Sequence, residues 1–75
     1  MAPSAISDRE FEAIRSWLRE VSGIHLSDQK KPLVISRLGK RLTATGCSSY
    51  GEYLKLVQGG HAADERQAAI DLLTT

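Results

Sequence analysis

Few side chains in this chain could perform covalent chemistry. Cys47 is the single cysteine, so no internal disulfide can form. It falls just past a helix end, in a turn, with no base or orienting group that sequence places beside it. An activated thiol needs both, so an inert or merely oxidisable group is expected. His25 and His61 stand in different connectors, and neither belongs to the Cys and His spacing of a zinc site, so no metal is expected. Gly59 and Gly60 follow a helical stretch rather than a strand, which makes them a linker and not a phosphate loop. Asp8, Glu10 and Glu12 cluster in the first turns of a helix, where negative charge is favourable against the helix dipole. A solvated face is their expected role.

What remains is charge that could bind. Between residues 29 and 51 stand five bases, Lys30, Lys31, Arg37, Lys40 and Arg41, and no acid. The rest of the chain carries five bases against nine acids, so a segment of +5 is balanced by a frame of −4 and the net charge is only +1. Such a split points to a local patch for an acidic partner rather than to a generally sticky basic protein. Arg37, Lys40, Arg41 and Lys30 fall within about 100° of a helical wheel. Leu33 intrudes on that arc, and Lys31 lies on the apolar side. Like charges three and four residues apart cost a few tenths of a kcal/mol each in an isolated helix. Two explanations stay open. The charges pair with acids of the first or last helix, or the face meets an acidic surface, either a helical protein or a nucleic-acid backbone. Arg37 and Arg41 lie outside the apolar arc, so the fold is expected to tolerate their reversal to Glu.

Four helical segments must position these groups. Ser7 stands three residues before Glu10, the spacing of a capping box, with Ile6 and Phe11 placed as a hydrophobic staple. Phe11, Ile14, Trp17, Leu18 and Val21 then share an arc of about 120°. Gly23 is expected to close this helix, over residues 8–22, with Ile24 folding back on its last turn. Ser27 and Asp28 open the second helix and Gly46 ends it. Pro32 sits awkwardly there, because a proline beyond the first turn loses a hydrogen bond and clashes. Either the turn at 28–31 is distorted or the regular helix begins at Pro32. Val34, Ile35, Leu38 and Leu42 form its apolar face.

Ser49 and Glu52 repeat the capping-box spacing, and Tyr50, Tyr53, Leu54 and Val57 make a short apolar face before Gly59. A last helix is expected from near Asp64, burying Ala69, Ile70 and Leu73. All four aromatics, Phe11, Trp17, Tyr50 and Tyr53, lie on apolar stripes and are assigned to the core. No segment alternates with period two. The expected fold is all-α, a small four-helix antiparallel bundle forming one domain over residues 1–75. No stretch approaches the ~20 apolar residues of a membrane span, and residues 1–7 lack the basic and apolar regions of a signal peptide. A cytoplasmic protein with no direct membrane insertion is expected.

Several runs together resemble a known family. They are ISDREFEAI at 6–14, GIHLSDQKK at 23–31, SRLGKRL at 36–42, YGEYL at 50–54 and the ending DLLTT. The ordered set resembles the N-terminal domain of chemotaxis receptor methyltransferases, the CheR family, over nearly the whole chain. The resemblance implies a helical domain that precedes an α/β domain binding S-adenosylmethionine, in an enzyme that methylates glutamates on the helical coiled coils of chemoreceptors. By position it implies receptor-binding roles for Lys30, Lys31, Arg37, Lys40 and Arg41. It also implies that the chain ends before the family's Asn-x-Thr-x-Phe-Phe-Arg stretch and nucleotide-binding fold. The chain alone is therefore expected to be inactive, with no catalytic residue and no cofactor, while the parent enzyme uses S-adenosylmethionine.

The expected partners are acidic methylation helices of receptors and the missing methyltransferase domain. A regulator that blocks receptor access could use the same surface, though no residue marks one. Two residues depart from the family's pattern. Pro32 stands where a plain helix usually continues, and Arg66 lies on the apolar side of the last helix, where a large apolar residue is common. The alternative function is a helical nucleic-acid-binding module using the basic face. The absence of a recognition-helix turn and a pI of about 7.9 count against it.

Overall fold

The start of each helix is set by which side chains reach its unpaired N–H groups. In the computed structural model, which describes residues 6–60 and 62–74, α1 spans Asp8–Ser22. Residues 1–5, His61 and Thr75 lie outside the described residues. The expected capping box is closed: Ser7 Oγ accepts from the Glu10 N–H at 3.1 Å, and Glu10 Oε1 accepts from the Ser7 N–H at 2.9 Å. Ile6 and Phe11 are both buried, completing the staple. Glu10 does more than sequence suggests. Its Oε2 accepts from the Gly51 N–H at 2.9 Å, a donor in the first turn of α3 (Tyr50–Gln58) that has no partner within its own helix. One carboxylate thus caps two helices. Burial alone would raise its pKa, but the hydrogen bonds from Ser7 and Gly51 prevail and hold it below the ordinary glutamate range.

The far end of α1 departs from expectation. Gly23 takes the left-handed conformation, with φ 76°, and its N–H reaches Arg19 O at 2.8 Å. Ile24 is 39% exposed, and Val21, at the end of the stripe, is 40% exposed rather than in the core. The Ser22 hydroxyl adds to the closure, accepting from the Ile24 N–H at 3.2 Å and donating to Leu18 O at 2.6 Å.

Both options at Pro32 are partly realised. A single 3₁₀ turn spans Asp28–Lys30, and α2 then runs over Lys31–Thr45. Pro32 thereby falls in the first turn of the α-helix, where its missing N–H has no intrahelical acceptor to lose. At the other end Gly46 is left-handed, and the Cys47 N–H bonds to Leu42 O at 2.9 Å. Ser49 caps α3 as expected, accepting from the Glu52 N–H at 3.1 Å. The reciprocal half of that box is not made. The Glu52 carboxylate turns to Ser48, which offers a hydroxyl at 2.8 Å and an N–H at 3.3 Å, two donors instead of one. The last helix, α4, spans Ala63–Thr74, so Asp64 belongs to its first turn rather than its cap.

The described residues form an all-α fold of four helices around one core. Phe11, Ile14, Trp17 and Leu18 of α1 meet Tyr50, Tyr53, Leu54 and Val57 of α3, and α2 adds Val34, Leu38 and Leu42. Ala69 and Leu73 come from α4, with Ile35 and Ile70 only partly buried. Leu26, in the connector, is 3% exposed and joins the core without a periodic signal. Helices α2 and α4 run antiparallel, since Arg37 meets Leu72 while Arg41 meets Glu65. The radius of gyration, 11.1 Å, matches the roughly 11 Å of a compact chain this long.

Trp17 is buried at the centre of the α1 stripe. Truncating it to Ala should cost about 3–5 kcal/mol, read as a lower urea midpoint with unchanged slope. A midpoint equal to the parent's would contradict the packing described.

Candidate docking face of the second helix

The structure divides the five bases of the acid-free segment between two places. Lys30 and Lys31 lie at the start of α2, against α1. There Lys31 Nζ pairs with Asp8 Oδ1 at 2.7 Å, and Arg15 Nη1 pairs with Asp28 Oδ1 at 2.7 Å and also contacts Glu12. Both cations flank the Phe11 ring, the Arg15 guanidinium 5.3 Å and the Lys31 ammonium 5.9 Å from its centre. Lys30 is exposed. This end is a mixed-charge cluster that pins the 3₁₀ turn to α1. Asp8 and Glu12 stay largely solvated while they pair with Lys31 and Arg15; Glu10 departs from the expected solvated face through its two caps.

Arg37, Lys40 and Arg41 lie together elsewhere. With Ala68, Asp71 and Leu72 they line a groove of about 600 Å³ between α2 and α4. Its lining combines apolar surface from Ala68 and Leu72 with the three bases, and Asp71 is the one acid among them. Lys40 is exposed. The Arg37 Nη1 donates to Leu72 O at 2.7 Å. That carbonyl lies in the last turn of α4, where acceptors lack helical partners and a cation is favoured.

Arg41 is held most firmly. Its Nε donates to Glu65 Oε2 at 2.8 Å and its Nη2 to Glu65 Oε1 at 2.6 Å, the two parallel bonds of a guanidinium fork. The Tyr53 hydroxyl donates to the same Oε2 at 2.6 Å. Three helices meet in this network. The Arg41 bonds, helped by Tyr53, hold the Glu65 carboxyl below the ordinary range although burial opposes this. Burial pushes the Tyr53 phenol well above its usual pKa, and donation to Glu65 pushes it further.

Sequence reasoning placed Tyr53 in the core and missed its hydroxyl's partner. It also left Glu65 unassigned, because the pair joins residues 24 apart in sequence. The pairing of bases with acids of α1 and α4, one of the two explanations kept open, thus holds for Lys31 and Arg41. The expectation that Arg37 and Arg41 can be reversed without harm fails: a Glu at either position would break a bond between α2 and α4. Arg66, the departure on α4, is exposed beside Gly59, Gly60 and Ala63. His25 is exposed in its connector. Cys47 is half-buried, with Thr45 Oγ1 3.3 Å from its sulfur. Among the described residues no three His, Cys, Asp or Glu cluster as metal ligands.

Glu65→Ala should cost about 1–3 kcal/mol, because it leaves the buried Tyr53 hydroxyl without its acceptor. Glu65 and Glu10 have folded pKa values below their unfolded ones. Their contribution is therefore complete above the unfolded value of about 4.3 and is lost as pH falls through the folded values. Urea midpoints taken from pH 6 downward should decline on this acid limb, and less steeply in Glu65→Gln.

Comparison with known proteins agrees with this helical architecture. Residues 9–74 match the family model of the CheR methyltransferase all-alpha domain. The chain is 38% identical over 71 residues to the chemotaxis protein methyltransferase of Escherichia coli (strain K12), a match covering 95% of this chain and 25% of that protein. It is 39% identical over 75 residues to chemotaxis protein methyltransferase 1 of Vibrio cholerae serotype O1, covering 100% of this chain and 27% of that one. With chemotaxis protein methyltransferase Cher2 of Pseudomonas putida it shares 35% over 66 residues, 88% of this chain and 24% of that protein. The chain spans about a quarter of the length of these relatives. No solved structure gives a significant match. The family match takes in all four helices, and the chain belongs to the CheR family as its all-α, N-terminal methyltransferase domain.

Proposed function

We propose that this chain is the substrate-recognition domain of an S-adenosylmethionine-dependent protein-glutamate O-methyltransferase that acts on chemotaxis receptors. The observation that carries the reading is the groove between α2 and α4, where Arg37, Lys40 and Arg41 stand beside the apolar side chains of Ala68 and Leu72. An amphipathic helix bearing carboxylates fits both features, with apolar residues in the groove and acids toward the bases. The similarity to chemotaxis protein methyltransferases supports a role in chemotaxis methylation. Lys30 and Lys31 would act at the far end of the same helix, extending the contact along a receptor helix.

The methyl donor belongs to the remainder of the parent enzyme in this reading. Among the described residues no strand leads through a glycine-rich turn into a helix, the unit that would cradle a nucleotide-like cofactor, so this chain's own residues do not fit it. Binding and orientation of the receptor are the tasks left to this domain. A cytoplasmic location fits that role, and no described helix is long and apolar enough to cross a membrane. Nucleic acid suits the groove less well, because Ala68 and Leu72 give it apolar surface that a phosphate backbone does not use, and none of its lining residues is an aromatic on which a base could stack.

Lys40 gives the clean test, being exposed and far from the core. Titration of the 75-residue chain with a peptide from a receptor methylation helix should give salt-sensitive binding. Lys40→Glu should weaken it by about 1 kcal/mol, as expected for a rim charge, with the melting temperature unchanged. A random DNA duplex of similar charge should bind more weakly than the peptide. Equal peptide affinity of the variant and the parent, or preference for the duplex, would refute the reading.

A further inference from the structure

We infer that Glu65 and Tyr53 are positioning residues for recognition: they clamp one edge of the Arg41 guanidinium so that its remaining donors are presented, already oriented, to an acidic helix in the α2–α4 groove. The inference rests on the proposal that this groove receives such a helix. A guanidinium carries five N–H donors in a rigid plane. Glu65 takes one from Nε and one from Nη2, which leaves three, including both on Nη1. Arg41 is nevertheless part of the groove lining, and its side chain keeps 36% of its surface exposed. Glu65 by contrast keeps only 13%, and both its oxygens are occupied, with Tyr53 adding a third bond from a phenol that is itself 1% exposed. A visiting carboxylate therefore meets the open edge of a fixed cation rather than displacing Glu65. An arginine held this way has less side-chain freedom to lose on binding than one free in solvent.

This arrangement makes a prediction of sign that simple charge counting does not share. Glu65→Gln removes a negative charge beside the groove, so electrostatics alone would tighten the binding of a glutamate-rich helical peptide. If Glu65 positions Arg41, the same variant binds more weakly, by about 2- to 10-fold, the order expected when one long side chain must be immobilised on binding. Tyr53→Phe should weaken binding in the same direction and by less, since the fork itself survives. Arg41→Lys keeps the charge but loses the planar fork, and should bind no better than Glu65→Gln.

The experiment is a fluorescence titration of the 75-residue chain and these three variants with one labelled, glutamate-rich helical peptide. It is run well below every melting temperature, so that loss of stability alone does not move the dissociation constant. Lys40→Glu is carried in parallel. Weaker binding by Glu65→Gln and Tyr53→Phe, alongside weaker binding by Lys40→Glu, supports the positioning role when the NMR signal of the Arg41 Nε–H moves toward that of a free guanidinium while the α4 backbone amide shifts stay in place. Weaker binding with displaced α4 amides and an unmoved Nε–H signal overturns it. Unchanged or tighter binding by Glu65→Gln while Lys40→Glu still loses affinity overturns it and leaves the recognition groove standing. No peptide binding by the parent chain, or no effect of Lys40→Glu, overturns the recognition reading and this inference with it.

Discussion

The architecture of this domain turns on two phenols buried in a core that, apart from the Trp17 indole, is otherwise hydrocarbon. α3 is only nine residues long and fills its share of the core with the rings of Tyr50 and Tyr53, each 1% exposed. A buried hydroxyl without a partner costs about 1–3 kcal/mol, a large part of what so small a core can supply. Each phenol therefore dictates what stands opposite it. Tyr50 reaches the Ile35 carbonyl of α2 at 3.2 Å, and Gly39 leaves room beside it, since a Cβ there would lie a tight 3.3 Å from the hydroxyl. Tyr53 needs an acceptor from α4 and finds Glu65, whose charge in turn requires a cation on α2 and finds Arg41. Core packing thus fixes the placement of a side chain on the outer face.

The same logic changes the meaning of the acid-free segment. Counted along the chain it is +5. In the folded domain Asp8 answers Lys31 and Glu65 answers Arg41. The exposed Asp8–Lys31 pair adds little stability, and the Arg41–Glu65 fork is the more buried of the two, yet both redistribute the field that a partner meets. Lys40 and Lys30 project charge into solvent, while Arg41 offers directed donors more than net charge. Arg37 belongs to the groove and also holds the end of α4 through Leu72. Recognition by such a face depends on orientation as much as on Coulomb attraction.

The sequence was readable wherever the determining interaction is local. The Ser7–Glu10 box, the left-handed Gly23 and Gly46 and the apolar stripe from Phe11 to Leu18 all span four residues or fewer per contact. Helix count and core membership followed from them. The misreadings share a physical cause, which is competition from a group that periodicity does not see. Val21 ends the stripe exposed, beside a Ser22 hydroxyl that bonds the closing turn, and Ser48 takes the carboxylate assigned to the Ser49 cap. At Pro32 the distorted preceding turn, one of the two options open in the sequence, is the 3₁₀ turn, with the α-helix starting one residue before the proline. Leu26 carries no pattern at all, being a single buried side chain in a connector. The five bases of the acid-free segment were legible as composition, but the partners that divide them between two places were not, because Asp8 and Glu65 are 23 and 24 residues away in sequence.

Helix α2 serves the core on one side and α4 on the other. Its inner face contributes Val34, Leu38 and Leu42 to the core, and its outer face contributes Arg37 and Arg41 to bonds with α4. Only Lys40, between them, is exposed without a share in either. Substitutions at the two arginines therefore mix two effects, since a lost contact with a partner and a loosened α4 both lower measured binding. The Arg41–Glu65 fork stands in the first half of α4 and the Arg37–Leu72 bond in its last turn, so the two arginines grip that helix near both ends. A ligand seated between them would contact α2 and α4 together. Such a ligand binds the folded arrangement and not the unfolded chain, and it would raise the domain's stability in proportion to the logarithm of its concentration once above the dissociation constant. The groove and the helix pair that forms it are for this reason one thermodynamic unit, and a ligand there would be felt first in the bonds between α2 and α4.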